Sequence, residues 1–158
     1  MKKIMLTAAL FLLGASAFCQ TEEKNGTIYI KHPYIDMVMN ANKDYANGDF
    51  STITKYYADS AKWWASGMGD FIPLAEAVKM WKSDFEKFDD IKQVQFGYPD
   101  FLSYKKDNSM VVQSWWKWSG KSKKTGEMVE TLMVMFDDFN KDGKIIREYI
   151  FGDFSKLQ

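Results

Sequence analysis

Ala46-Asn47-Gly48-Asp49-Phe50 is the stretch on which the reading of this chain turns. Gly48 can take the left-handed backbone that ends a helix, and the Asp49 carboxylate can cap the helix that follows. Upstream, Tyr34, Val38, Ala41 and Tyr45 recur at helical spacing from Pro33, a residue favoured in a first turn. Downstream, a short helix is expected through Tyr57, then a short strand from Ala61 to Trp64 and a loop over 65–70. After Pro73 the residues Leu74, Val78, Trp81, Phe85 and Phe88 form one apolar stripe. Lys79, Lys82, Glu86 and Lys87 lie opposite, so a third, longer helix is expected.

Beyond Asp90 the period changes from helical to alternating. Runs at 91–104, 109–119, 127–139 and 144–154 are separated by Lys105 to Asn108, Gly120 to Gly126 and Asn140 to Gly143. Turn residues between β-rich runs predict hairpins, hence four sequential antiparallel strands. Such a meander does not lie flat, and the helices give it something to curl around.

Residues 1–19 read as a signal peptide. Lys2 and Lys3 precede an apolar run from Ile4 to Leu13, and Ala17-Phe18-Cys19 places small residues where a signal peptidase reads them. The run is shorter than the ~20 residues that span a bilayer. Cys19 could instead carry a lipid, although Phe18 is large for that position. The expectation is an exported protein, periplasmic or secreted, with a flexible leader over 20–32 and one domain over 33–158. Cleavage would remove Cys19, the chain's one cysteine, so stability must come from a core for which 16% aromatic residues supply material. The formal charge is 0, with no basic excess to neutralise phosphates, so no nucleic-acid partner is expected. No membrane segment is expected after cleavage.

Several motifs carry two readings. Asp138-Phe139-Asn140-Lys141-Asp142-Gly143 matches the first half of a calcium loop, but Tyr149 stands where the bidentate Glu belongs, and a tight turn needs the same residues. His32, the one histidine, cannot build a zinc site or a catalytic triad alone, and reads as a solvated residue before a helix. No metal and no cofactor is expected. Lys121, Lys123 and Lys124 read as a solvated hairpin tip. Alternation puts Trp116 and Trp118 on one face of a strand and Trp115 on the other, in core, interface or ligand-contact roles.

With Asn47-Gly48-Asp49-Phe50, Tyr57-Ala58-Asp59-Ser60-Ala61 and Asn140 to Ile146 leading into Ile150-Phe151-Gly152, the chain resembles the nuclear transport factor 2-like superfamily, in particular its ketosteroid isomerase-like and SnoaL-like members. The resemblance covers roughly Tyr34 to Phe154. It implies an α+β cone: three N-terminal helices packed on a curved, mainly antiparallel sheet, a barrel-like wall around one pocket. Steroid isomerases of this fold use an Asp base, with a Tyr and a protonated Asp on the enolate oxygen. Registered on the shared motifs, those roles fall on Ala65, Ala41 and Met135, all apolar, which argues against that chemistry.

The same register implies a pocket lined by Trp63, Ser114, Trp116, Trp118, Met133, Met135 and Ile150, with Glu148 as the one carboxylate well inside. A carboxyl against Trp walls has its pKa raised by desolvation, which is how a general acid is made. A shift of one residue would turn Glu148 outward and bring Arg147, Tyr149 and Asp153 in. Three functions remain open: an exported, SnoaL-like protein binding a small apolar molecule; a cyclase-, dehydratase- or hydrolase-like enzyme using Glu148 or Asp153 as acid–base; or a non-catalytic dimerisation or interaction module. A homodimer through the convex sheet is expected. A titratable group touching a real cavity would favour the enzyme.

Overall fold

The computed structural model of the chain describes residues 23–157. The expected signal segment 1–19, with Cys19, lies outside them. Helix α1 (Pro33–Ala46) starts where His32 Nδ1 accepts from the Tyr34 amide at 3.2 Å. The imidazole stacks on Phe101 at 3.8 Å, so His32 is a packed cap rather than the solvated residue expected. The helix ends as its sequence dictates. Gly48 has φ +70°, its amide donates to Tyr45 O at 2.8 Å, and the Asp49 amide donates to Asp44 O at 2.9 Å. Asp49 then caps α2 (Phe50–Ile53) by accepting from the Thr52 amide at 3.0 Å. A 3-10 turn, Thr54–Tyr56, leads straight into the sheet.

Helix α3 (Leu74–Lys87) buries Ala77 and Trp81. It stops one residue short of the expected stripe. Phe88 opens a strand instead, and reaches the core edge-on to Trp118 at 5.1 Å.

The strands are β1 (Gly26–Tyr29), β2 (Tyr57–Ala65), β3 (Ile72–Pro73), β4 (Phe88–Gln95), β5 (Asp100–Tyr104), β6 (Met110–Ser122), β7 (Met128–Phe139) and β8 (Ile145–Gly152). The expected run 91–104 is therefore two strands, broken around Gly97 and Pro99, the latter having no amide to give a ladder. Both halves pair with the long β6, β4 along its Trp116–Ser122 half and β5 along Met110–Gln113. The sheet runs β1-β5-β6-β7-β8-β2-β3, with β4 also on β6, and only β2–β8 is parallel. The expected α+β architecture stands: three helices pack on a large, mostly antiparallel sheet that does not close.

Residues 26–29, read from sequence as part of a flexible leader, belong to that sheet as its edge strand on β5. Gly26 permits it, because a Cβ there would overlap the Ser103 carbonyl. The calcium-loop match is a hairpin turn. Asn140 Oδ1 accepts from the amides of Asp142 and Lys144 at 3.0 and 2.9 Å. Of the three lysines at the β6–β7 tip, Lys123 reaches Phe85 O at 2.8 Å and so ties that hairpin to the end of α3.

Alternation sorts β6, β7 and β8 into two faces. Ser114, Trp116, Trp118, Met133, Met135, Asp137, Glu148 and Ile150 are buried under the helices. Leu132 and Phe151 are exposed on the other side, where Phe151 packs against Trp64 and Phe136.

Candidate functional site

A cavity of about 320 Å³ lies between the helices and the inner face of the sheet. That is the lower end of the range for small-molecule sites. Trp63, Trp118, Met133, Met135, Glu148 and Ile150 line it, as the sequence suggested. Ser114 and Trp116 share the inner face but are not among its walls. Trp116 Nε1 donates to Ser114 Oγ at 2.8 Å and the pair is packed away in the core. Asp153 is exposed and off the cavity, and its carboxylate accepts from the Ser155 amide at 3.0 Å. Arg147 and Tyr149 face outward, which settles the register in favour of Glu148 inside. The C-terminal Phe154 and Leu157 add apolar wall.

Glu148 is not the one carboxyl inside, as expected from sequence. Asp137 is its cross-strand partner and is equally buried; both line the cavity. Two neutral donors hold Glu148. Trp63 Nε1 donates to Oε1 at 2.7 Å, and the Tyr57 hydroxyl donates to Oε2. Asp137 Oδ2 finds no donor among the surrounding groups, so a hydrogen bond between the two carboxyls must be carried by a proton on one of them. Burial raises both carboxyls above their usual range. For Asp137 the Glu148 charge adds to the rise, whereas the bonds from Tyr57, Asp137 and Trp63 pull Glu148 back down. The pair shares a proton, and two donors on Glu148 against none on Asp137 Oδ2 favour the charge on Glu148 and the proton on Asp137. Tyr57 is pushed well above its ordinary value by burial and by that charge, and stays a donor.

A second polar group stands where α1 meets α3. Tyr45 donates to Asp84 Oδ2 at 2.8 Å and accepts from Trp118 Nε1 at 3.0 Å. Burial raises Asp84, while the bond from Tyr45 and the charge of Lys87 oppose the rise. Gln93 donates to Asn42 Oδ1 nearby, and both side chains line the cavity.

No protein-family model matches the chain. No curated protein is similar enough to count as a relative. Solved structures do match. IdmH, a candidate polyketide cyclase from Streptomyces antibioticus, aligns at TM-score 0.64 and 17% identity, over 77% of this chain and 93% of its own. AclR, a candidate hydroxylase from Streptomyces galilaeus, aligns at 0.64 and 14%, over 79% and 92%. A nuclear transport factor 2-like protein of unknown function from Exiguobacterium sp. 255-15 aligns at 0.57 and 17%, over 76% and 98%.

The chain has the nuclear transport factor 2-like fold.

At these identities the likeness is one of fold, and chemistry has to be read from the cavity itself. Ala41, Ala65 and Met135, on which the resemblance placed the polar roles of a steroid isomerase, all line it as apolar groups. The polar groups stand elsewhere. Asp137 was missed although the period that points Met133 and Met135 inward also points Asp137 inward. Tyr57 was missed because it was read as the end of a helix, whereas it is the first residue of β2.

Proposed function

We propose that this protein takes a small, mostly apolar molecule into the cavity and that the Asp137–Glu148 pair is its polar anchor. The observation that supports this most is a buried carboxyl pair facing a space otherwise walled by Trp, Met and Ile. A desolvated carboxyl without a full set of donors costs free energy unless something in the cavity uses it. A saturable change in tryptophan fluorescence on adding 2-phenylethanol or geraniol is the expected signal, since Trp63, Trp81 and Trp118 are all in the wall. Met135→Trp should fill the space and abolish the change while the protein melts as cooperatively as before. Unchanged binding by that variant, or no saturable binding at all, would remove the reading.

A second reading is an acid–base enzyme of the cyclase, dehydratase or hydrolase kind. It is favoured by one specific observation: a titratable pair with raised pKa values touches the cavity, and Glu148 is the charged member. Glu148→Gln keeps the shape and removes the base, so it should bind the neutral probes but stop any turnover.

Two further expectations complete the proposal. The protein is exported, on the strength of residues 1–19, and mature protein from a native-like host should begin at Gln20. It forms a homodimer through the convex face, where Leu132 and Phe151 are exposed beside Phe136 and Trp64. Phe151→Lys should then leave a monomer by light scattering.

A further inference from the structure

We infer that the carboxyl pair at the floor of the cavity receives a protonated amine, so that the ligand is a small apolar molecule carrying a primary or secondary ammonium group. This rests on the binding reading above and narrows it to one chemical class. The first ground is a missing charge. Glu148 and Asp137 are both about as buried as side chains become, at 2% and 1% exposure, and no cation among the described residues pairs with either. Lys87 lines the same cavity but forms no ion pair with either carboxyl, and its charge acts on Asp84. A buried carboxylate without a cation is costly, and an ammonium supplies what is lacking.

The second ground is a missing donor. Both Glu148 oxygens are occupied by Trp63 and Tyr57, whereas no other group among the described residues donates to Asp137 Oδ2, which is left with the single proton the two carboxyls share. An ammonium brings several N–H donors and can serve Asp137 while it neutralises Glu148. A ligand that only accepts hydrogen bonds would leave the Glu148 charge uncompensated.

The third ground is the wall. Trp81 stands 6.3 Å from Trp63 and 5.9 Å from Tyr57, ring centre to ring centre, all three lining the cavity beside the pair. Aromatic faces attract a desolvated cation. Met133, Met135 and Ile150 then take the apolar body.

An ammonium beside the pair weakens its hold on the shared proton, so part of that proton should leave as the ligand enters. The groups facing the pair and its cavity are Tyr57 from β2, Tyr45 from α1, and Asp84 and Lys87 from α3, with Asp138 acting on Asp137 from the outer side of β7. Both tyrosines are raised by burial and keep their protons through neutral pH. Asp84 is also raised by burial, so its replacement serves as the control.

The test compares 3-phenylpropylamine with 3-phenylpropan-1-ol, close in shape and different in charge, by titration calorimetry on the folded full domain. The amine should bind at least tenfold more tightly, release up to one proton (read from buffers of different ionisation enthalpy), and gain affinity from pH 5.5 to 8. Asp137→Asn should abolish the proton release and weaken the preference for the amine while still binding the alcohol. Asp84→Asn should leave both the release and the preference in place. If the alcohol binds as tightly as the amine, the ammonium inference fails and the binding reading survives. If the preference or the release persists in Asp137→Asn, or vanishes in Asp84→Asn, the pair is not the receptor. If neither probe binds, both readings fall.

Discussion

Asp137 and Asp138 are neighbours in β7, and their partners Glu148 and Arg147 are neighbours in β8, so the two pairs form adjacent rungs of one ladder. They live in different solvents. On the outer rung Asp138 meets Arg147 Nη2 at 2.6 Å and accepts from the Tyr149 hydroxyl at 3.1 Å, with the Arg147 side chain half exposed. Burial first and Asp138 second push Tyr149 up to about 12. On the inner rung two carboxyls face each other with no cation, and one must keep its proton. The same residue type, one position apart, has an arginine partner on one face and a second carboxyl on the other. Strand pleat alone makes the difference.

The largest effect should come from breaking the inner rung. Glu148→Ala leaves the buried Tyr57 hydroxyl and Trp63 indole N–H without their acceptor. At about 1–3 kcal/mol per orphaned donor, a loss on the order of 2–4 kcal/mol is expected by chemical denaturation. A loss below about 1 kcal/mol would mean that water already serves these groups.

Next comes the pH dependence of the inner rung. Asp137 has a folded pKa raised above its unfolded value, so the folded protein holds the extra proton. Its contribution is favourable below the unfolded pKa and is lost as pH rises through the folded one. Asp137→Asn, which cannot ionise, should therefore gain stability relative to wild type as pH rises from 5 to 9, by roughly 1 kcal/mol or more over the range. A difference that stays flat with pH, or moves the other way, would show that Asp137 is ionised in the folded protein.

The outer rung should matter least. Arg147→Ala removes a solvent-screened ion pair, for which about 0–1 kcal/mol is expected, shrinking further in high salt. A cost matching that of Glu148→Ala would erase the contrast between the faces.

Much of this was legible in the residues. Gly48 and Asp49 marked a helix boundary because only particular backbone and side-chain chemistry serves there, and both cap bonds are present. The change of period after Asp90 marked the passage from helix to sheet, and alternation put Trp116 and Trp118 on one face. The register of the resemblance placed Met133, Met135 and Ile150 with them while leaving Glu148 open to a shift of one residue. Other features did not show. Gly26 to Tyr29 look like leader because an edge strand needs only a backbone partner, and that partner, β5, lies far along the chain. Asp137 beside Asp138 looks like the approach to a turn, since a buried acid and an exposed one are spelled alike.

The sequence by itself determined where helices stop and which residues alternate. These are local matters of backbone preference and period. Only the tertiary structure decided that Tyr57, Trp63, Asp137 and Glu148, drawn from three strands, meet at one cavity, and that Trp116 is packed away from it while Trp118 is not. It also decided which carboxyl keeps a proton. Charge state depends on the donors and the water within a few ångströms, and those are supplied by residues distant in the chain.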